Sequence, residues 1–305
     1  MGPTASGKTE VAIRLADNYP VNLVSVDSAL IYRGMDIGTA KPTPDVLRQY
    51  PHALVDIRDP EDPYSAGDFV RDAQIEIDAT HAAGRLPLLV GGTMLYFRSL
   101  VHGIAELPEA DVDVRAVIDE EALARGWPSL HAELAKIDPT TAARISPNDS
   151  QRIQRALEVF RVSGRSLTEW HQTGRPTRED YRFIKYALIP EPRRTLHERI
   201  EARLDDMMEA GFIEEVRGLM QREDLTAQHP SMRAVGYRQI WAHLAGETNL
   251  EEARQRALAA TRQLAKRQLT WLRSEDDLTV LDPLETDAPS AISENLAEAA
   301  GIRKN

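Results

Sequence analysis

The residues whose spacing first suggests chemistry are Gly2-Pro3-Thr4-Ala5-Ser6-Gly7-Lys8-Thr9, which fit the pattern G-x-x-x-x-G-K-[ST]. In such a turn, successive backbone N–H groups converge on one concavity at the start of a helix, where the helix dipole also favours an anion. Lys8 adds a full charge toward phosphate oxygens, and the Thr9 hydroxyl is the usual Mg²⁺ ligand. This is a P-loop, and its chemistry is phosphate binding. Asp27 follows a valine-rich run at 21–26. A carboxylate there could take a proton from an incoming nucleophile, although Asp at such a place also serves as a turn or helix cap. A second apolar run, 86–90, ends in Gly91-Gly92-Thr93 and not in an acid. An ATPase usually ends a strand with a carboxylate for metal and water. The glycines instead suit close approach of backbone to a substrate.

These residues need elements to position them. A helical pattern follows Lys8, 21–26 reads as a buried strand by length and β-branching, and 53–57 reads as another. Residues 65–84 read as a helix capped by Ser65 and closed by Gly84. Residues 86–90 form a third strand, before a helix running to about His102. Strands alternating with helices imply an α/β fold, a P-loop NTPase-like parallel sheet flanked by helices on both faces. Between 111 and 177 no strand pattern appears, and short helical patterns are broken by Gly and Pro, so an all-helical insertion domain is expected there. The catalytic core is then 1–110 with 178–305. A strand returns at 182–189, helices fill 195–273, Leu278–Leu281 is a short strand, and the tail from Pro283 is expected to be ragged. A P-loop ordinarily follows a strand. Only Met1 precedes this one, so that strand is expected from residues ahead of Met1.

The chain has 305 residues, 42% of them hydrophobic and 28% charged, which excludes a disordered or collagen-like polymer. Apolar runs are too short to cross a bilayer, and no secretory leader opens the sequence. Without cysteine there is no disulfide, thiolate zinc site or cysteine nucleophile. A cytoplasmic monomer that does not bind membranes is the expectation. The net charge of −11 argues against a nucleic-acid coat, yet 253–274 carries Arg254, Arg256, Arg262, Lys266, Arg267 and Arg273 with no acid between them. On a helix, Arg262, Lys266 and Arg273 share one stripe beside an apolar stripe of Leu258, Ala265, Leu269 and Leu272. A basic ridge beside a buried face can meet phosphates. The histidines His52, His81, His131, His171 and His229 have no metal-binding spacing.

The segment from Asp27-Ser28-Ala29-Leu30-Ile31-Tyr32 through Gly38-Thr39-Ala40-Lys41-Pro42, with residues 2–9, Leu88-Leu89-Val90-Gly91-Gly92-Thr93-Met94-Leu95-Tyr96 and Arg262-Gln263-Leu264-Ala265-Lys266-Arg267-Gln268, closely resembles the bacterial tRNA dimethylallyltransferases. The resemblance runs from the P-loop to about Arg273. It implies transfer of a dimethylallyl group from dimethylallyl diphosphate to N6 of adenosine 37 of tRNA, with Mg²⁺ as cofactor. It places Asp27 as general base, Thr93 beside the target adenosine, and Arg203 on the diphosphate, with Arg199 one turn away on the same helix face. It assigns tRNA contacts to Asp27, Ser28, Ala29, Leu30, Thr93 and Arg115, and to Gln151, Arg152, Ile153, Gln154 and Arg155. Further contacts fall on Arg233, Ala234, Val235, Gly236, Tyr237 and Arg238, and on Lys266, Arg267, Gln268, Leu269, Thr270, Trp271, Leu272 and Arg273. For Tyr237 the residue type leaves stacking on a base and core packing equally open. The helical insertion would grip the anticodon stem-loop. Reaching the amine requires the base to leave its stack, at a cost of a few kcal/mol. Two other classes fit parts of the sequence. A metabolite kinase would use the same P-loop and Asp27 on a hydroxyl, with ATP as donor. A GTPase-like switch would need an N-K-x-D segment, which is absent.

Overall fold

The computed structural model describes residues 1–173 and 180–293. The expected boundary at 177/178 and the end of the tail lie outside them. The chain divides into two compact units, Met1–Ser99 with Arg182–Asn305, and Leu100–Tyr181.

In the first unit the loop 2–7 enters α1 (Lys8–Asn18), which is followed by β1 (Val21–Val26), a short α2 (Pro44–Gln49), β2 (His52–Ala53), α3 (Ala66–Ala82), β3 (Leu86–Gly91) and α4 (Met94–His102), the last continuing into the second unit. β1 is central in a parallel three-stranded sheet of order β2-β1-β3. Its register pairs Val26 with Gly91, so Asp27 and Gly92-Thr93 emerge side by side at the carboxyl ends of the strands. Open α/β sheets place their ligands at that edge. α3 starts with a reciprocal capping box, in which the Ser65 hydroxyl accepts from Asp68 N–H and the Asp68 carboxylate accepts from Ser65 N–H.

The strand expected at 53–57 stops at Ala53. Leu54 and Asp56 take positive φ of 63° and 55°, which no ladder tolerates. The resulting turn delivers Asp56 to Lys41, whose ammonium also binds Asp36 and the Tyr32 carbonyl. Lys41 is almost fully buried, and this satisfaction of its charge outweighs strand propensity.

The second unit holds α5 (Val112–Arg125), α6 (Trp127–Ile137), α7 (Pro139–Ala142), α8 (Ser150–Ser163) and α9 (Leu167–Gln172), with no strand among its described residues. Its core joins Ile118, Leu130, Leu134, Ile153 and Leu157. Glu158 lies within that unit and is fully buried. Its carboxylate accepts from Arg115, Arg155 and the backbone N–H of Asp111.

Returning to the first unit, β4 (Lys185–Leu188) pairs in parallel with β5 (Leu278–Leu281) as a separate two-stranded sheet. The expected single sheet is thus two small ones. The Leu188 N–H donates to the Met1 carbonyl, so the backbone leading into the P-loop runs along β4. Between β4 and β5 come α10 (Arg193–Glu209), α11 (Phe212–Met220), α12 (Tyr237–Leu244) and the long α13 (Leu250–Leu272). α1 covers both sheets through Ala12, Leu15, Val21, Leu23, Leu88 and Leu281. Ile292 packs into that core and Ala288 is also buried, so the tail is not ragged as far as residue 293. α10 packs on α13 through Leu196, Ile200, Leu204, Leu258, Ala265 and Leu269, with Ala5 of the P-loop against them. Each fully buried Leu or Ile there contributes about 1.5–3 kcal/mol, and the seam fixes both helices against the loop. Among the described residues no helix is long and apolar enough to cross a membrane.

Candidate active site

The P-loop is shaped by what fits at its glycines. A Cβ on Gly2 would lie 2.7 Å from the Leu188 carbonyl oxygen and from Ser6 Oγ, so the backbone passes where no side chain can follow. Gly7 caps α1 with a left-handed φ of 89°, and Ala5 also takes a positive φ of 62°. Lys8 curls back over the loop and donates to the Pro3 carbonyl oxygen at 2.6 Å. Burial lowers its ammonium to about 8, an effect that nearby Asp27 opposes and Arg203 adds to.

The loop forms one wall of a cavity of about 520 Å³ lying within the first unit. Lys8, Thr9 and Arg203 line it, together with Asp27 and Thr93. Arg203, from the middle of α10, donates to Thr4 Oγ1 at 3.4 Å and to the Thr39 carbonyl at 3.2 Å. Burial lowers its pKa, and Asp27 works against that shift. Arg199 also approaches the loop, with Nη2 3.6 Å from where a Cβ on Gly7 would be. Both arginines thus come close to the P-loop, and of the two Arg203 lines the cavity.

Across from the cradle, Asp27 Oδ1 accepts from the Ala29 N–H at 2.9 Å, a local turn that holds the carboxylate at the end of β1. Thr93 places its hydroxyl against the same turn, accepting from the Ser28 N–H at 3.0 Å. Gly91 allows this closeness, since a Cβ there would fall 2.0 Å from the Val26 carbonyl oxygen. The P-loop segment, Arg203, Asp27 and Thr93 thus line one space.

The loop 36–40 closes a further side. Glu215 of α11 accepts from the backbone N–H groups of Asp36, Ile37 and Gly38 and from the Tyr237 hydroxyl. Gly38 lies flat against the rings of Phe212 and Tyr237, which meet edge to face at 5.0 Å. Burial raises the Tyr237 hydroxyl well above its ordinary value, which keeps it a donor to Glu215. Sequence reasoning missed Glu215, because nothing near it in the chain marks a partner 177 positions away.

Other expected contacts divide by burial. Lys266, Arg267 and Arg273 of the α13 segment are exposed, as are Arg233, Arg238 and Thr270. Arg233, Ala234, Val235, Gly236, Arg267 and Trp271 line the cavity, as do Ser28, Ala29 and Leu30. Leu269 and Leu272 are buried in the core and Ile153 is fully buried, so these side chains have little or no surface to offer an RNA, contrary to expectation, and Tyr237, whose residue type leaves core packing open, is fully buried too. Gln268 is buried with both amide ends engaged. Arg115 and Arg155 are committed to Glu158, Arg152 to Asp149, and Gln154 to Asp119. Gln151 is exposed. The ridge is also shorter than expected: Arg262 pairs with Glu201, Arg254 with Asp205, and Arg256 with Glu252, acids that the segment 253–274 does not itself contain.

The family described as IPP transferase matches residues 30–275. A relative from Thioalkalivibrio sulfidiphilus (strain HL-EbGR7), named tRNA dimethylallyltransferase, is 53% identical over 99% of this chain and 95% of its own length. The chain belongs to the IPP transferase family. It is therefore a transferase. Solved structures of this family share its fold. The full-length tRNA isopentenylpyrophosphate transferase of Bacillus halodurans matches at a TM-score of 0.70 and 38% identity, covering 98% of this chain and 94% of that one. The tRNA isopentenylpyrophosphate transferase of Staphylococcus epidermidis matches at a TM-score of 0.70 and 31% identity, covering 98% and 97%.

Proposed function

We propose that this IPP transferase moves a dimethylallyl group from dimethylallyl diphosphate to N6 of adenosine 37 of tRNA and releases diphosphate. The observation that supports this most is the one cavity lined by Thr4, Ala5, Lys8 and Thr9 of the P-loop segment, by Arg203, and by Asp27 and Thr93. The N6–C bond forms as the C–O bond to diphosphate breaks, the electron pair leaves with the diphosphate, and one N6 proton passes to Asp27. The exocyclic amine is a weak nucleophile, since its lone pair is delocalised into the ring. A base within hydrogen-bond reach of its proton lowers the barrier. The leaving diphosphate gathers negative charge, which Lys8, Arg203 and the amides at the start of α1 are already fixed to meet. The P-loop here grips a leaving group, with no nucleotide hydrolysis required, which fits β3 ending in glycines.

Mg²⁺ fits the residues in a limited way. No group of His, Asp or Glu among the described residues forms a metal cage. Thr9 lines the cavity at the first turn of α1, the place of a hydroxyl ligand to an ion held mainly by diphosphate oxygens and water. Such an ion would supply neutralisation of the leaving group. The exposed Lys266, Arg267 and Arg273 supply the RNA side of the first unit, and the second unit is assigned to the anticodon stem-loop. Incubating the protein with unmodified tRNA and labelled dimethylallyl diphosphate should place label on adenosine 37. Brisk ATP turnover without label transfer would replace this function with that of a kinase.

A further inference from the structure

Gln268 sits on the buried side of α13, one residue after the exposed Arg267, and is only 7% exposed. Its amide is used at both ends. Oε1 accepts from the Thr4 N–H at 2.9 Å, and Nε2 donates to the Gly92 carbonyl at 2.8 Å. Thr4 belongs to the P-loop and takes Arg203 on its hydroxyl, whereas Gly92 leads directly into Thr93, whose hydroxyl binds the Ser28 N–H beside Asp27. The loops that Gln268 joins are far apart in sequence and pair with different sheets: Met1 runs along β4, and Gly91 pairs on β1. Gly92 lets the amide come this close, since a Cβ there would fall 2.5 Å from Gln268 Nε2 and displace the end of that side chain.

We propose that Gln268 is a positioning residue that holds the diphosphate cradle and the acceptor-side loop in register, setting the distance between the carbon under attack and the amine that attacks it. This goes beyond the surface RNA contact that the resemblance assigned to Gln268, and it rests on the prenyl transfer proposed above. An amide is suited to the task because one end must accept and the other donate. Glutamate keeps the acceptor for Thr4 but sets a carboxylate against the Gly92 carbonyl, and alanine reaches neither loop. A displacement of about 1 Å between reacting groups can cost on the order of 100-fold in rate, whereas each substrate can still bind its own wall.

The test is single-turnover transfer at saturating tRNA and dimethylallyl diphosphate in Q268A, Q268E and G92A, with the Kd of each substrate measured separately. The expected result is a rate lower by about 10- to 100-fold in all three, with each Kd within about 3-fold of wild type. A merely structural role would move the Kd values or the melting temperature and leave the saturated rate intact. A saturated rate within about 3-fold of wild type in Q268E or G92A overturns the proposal, as does a deficit recovered by adding substrate. Should Q268A lose its helical circular dichroism, Q268E and G92A decide the matter by the same criteria. If wild type itself transfers no label, the proposed function fails first, and that outcome is read separately in the wild-type lane.

Discussion

At the scale of single residues, the cavity divides its work by charge. Asp27 is tied by its Oδ1 to the Ala29 N–H, and Asn at this position retains that acceptor while losing the ability to take a proton. Asp27→Asn should therefore leave tRNA binding intact and lower the transfer rate by about 10²–10⁴-fold. A rate within a few-fold of wild type would remove Asp27 from the base role. Arg203 contributes charged hydrogen bonds that should strengthen as the diphosphate leaves. Arg203→Ala should raise the KM for dimethylallyl diphosphate by about 10- to 100-fold, the equivalent of about 1.5–3 kcal/mol for bonds to a charged group. An unchanged KM would transfer the role to Arg199. If Lys8 holds the donor diphosphate as proposed, donor binding should depend on pH. Burial holds it at about 8 in the free protein, and a bound diphosphate favours its ammonium form. Below about pH 7 the proton is already in place, so donor binding takes up none. Above about pH 8 binding must draw a proton onto Lys8 and weakens with rising pH. Titration calorimetry in buffers of different ionisation enthalpy should show proton uptake at about pH 9 and none at about pH 6.5.

At the scale of elements, α13 carries two jobs on two faces. Its inner face packs on α10 through Leu258, Ala265 and Leu269, and its outer face presents Lys266 and Arg267, with Arg273 just past its end. The composition of 253–274 suggested a longer basic ridge. Arg254 and Arg262 are instead drawn to Asp205 and Glu201 on α10, because helices packed side by side align charges that lie far apart in sequence. What is left for phosphate is the carboxyl-terminal part. Charge reversal in K266E with R273E should weaken tRNA binding and reduce the slope of log K against log salt by roughly 0.7 to 0.9 for each phosphate that is no longer neutralised. An unaltered slope would mean that this face meets solvent only. The same pairings show why substitutions of Arg254 and Arg262 should leave that slope alone.

At the scale of the whole molecule, the two units are stabilised by different means. The first buries apolar seams between α1 and the sheets and between α10 and α13. The second has an apolar core of its own and, in addition, a buried carboxylate. Glu158 has no exposed side-chain surface, and the hydrogen bonds of Arg115, Arg155 and Asp111 hold its pKa below the ordinary value despite the opposing cost of burial. Removing one partner of a buried pair is strongly destabilising. Since both arginines keep some exposure, Glu158→Gln should cost about 2–3 kcal/mol, read as a lower midpoint in urea. Because the folded value is depressed, this stabilisation is present above the unfolded pKa and is lost as pH falls through the folded one. The wild-type and Glu158→Gln midpoints should accordingly converge in acid. Constant separation down to about pH 3 would show that the charge does not matter. Arg115 and Arg155, expected as RNA contacts, thus hold this carboxylate while keeping part of their own surface exposed.

The amino-acid sequence determined the local grammar of this protein. The glycine-and-lysine loop, β1 and β5 to the residue, the Ser65 cap, and the helical stretch after residue 111 could all be read from patterns within a few positions. Motif residues likewise singled out loop 2–9, Asp27, Thr93 and Arg203, which the fold brings to one cavity. Tertiary structure decided everything that depends on meeting a distant residue. It ended the expected second strand at Ala53 to satisfy Lys41, and split one expected sheet into two. It turned Tyr237, Ile153, Leu269 and Leu272 inward, and gave Gln268 and Glu215 their loops. A hydrogen bond spanning 264 positions, such as that between Thr4 and Gln268, leaves no local trace, since its partners are chosen by packing and not by their neighbours in the chain.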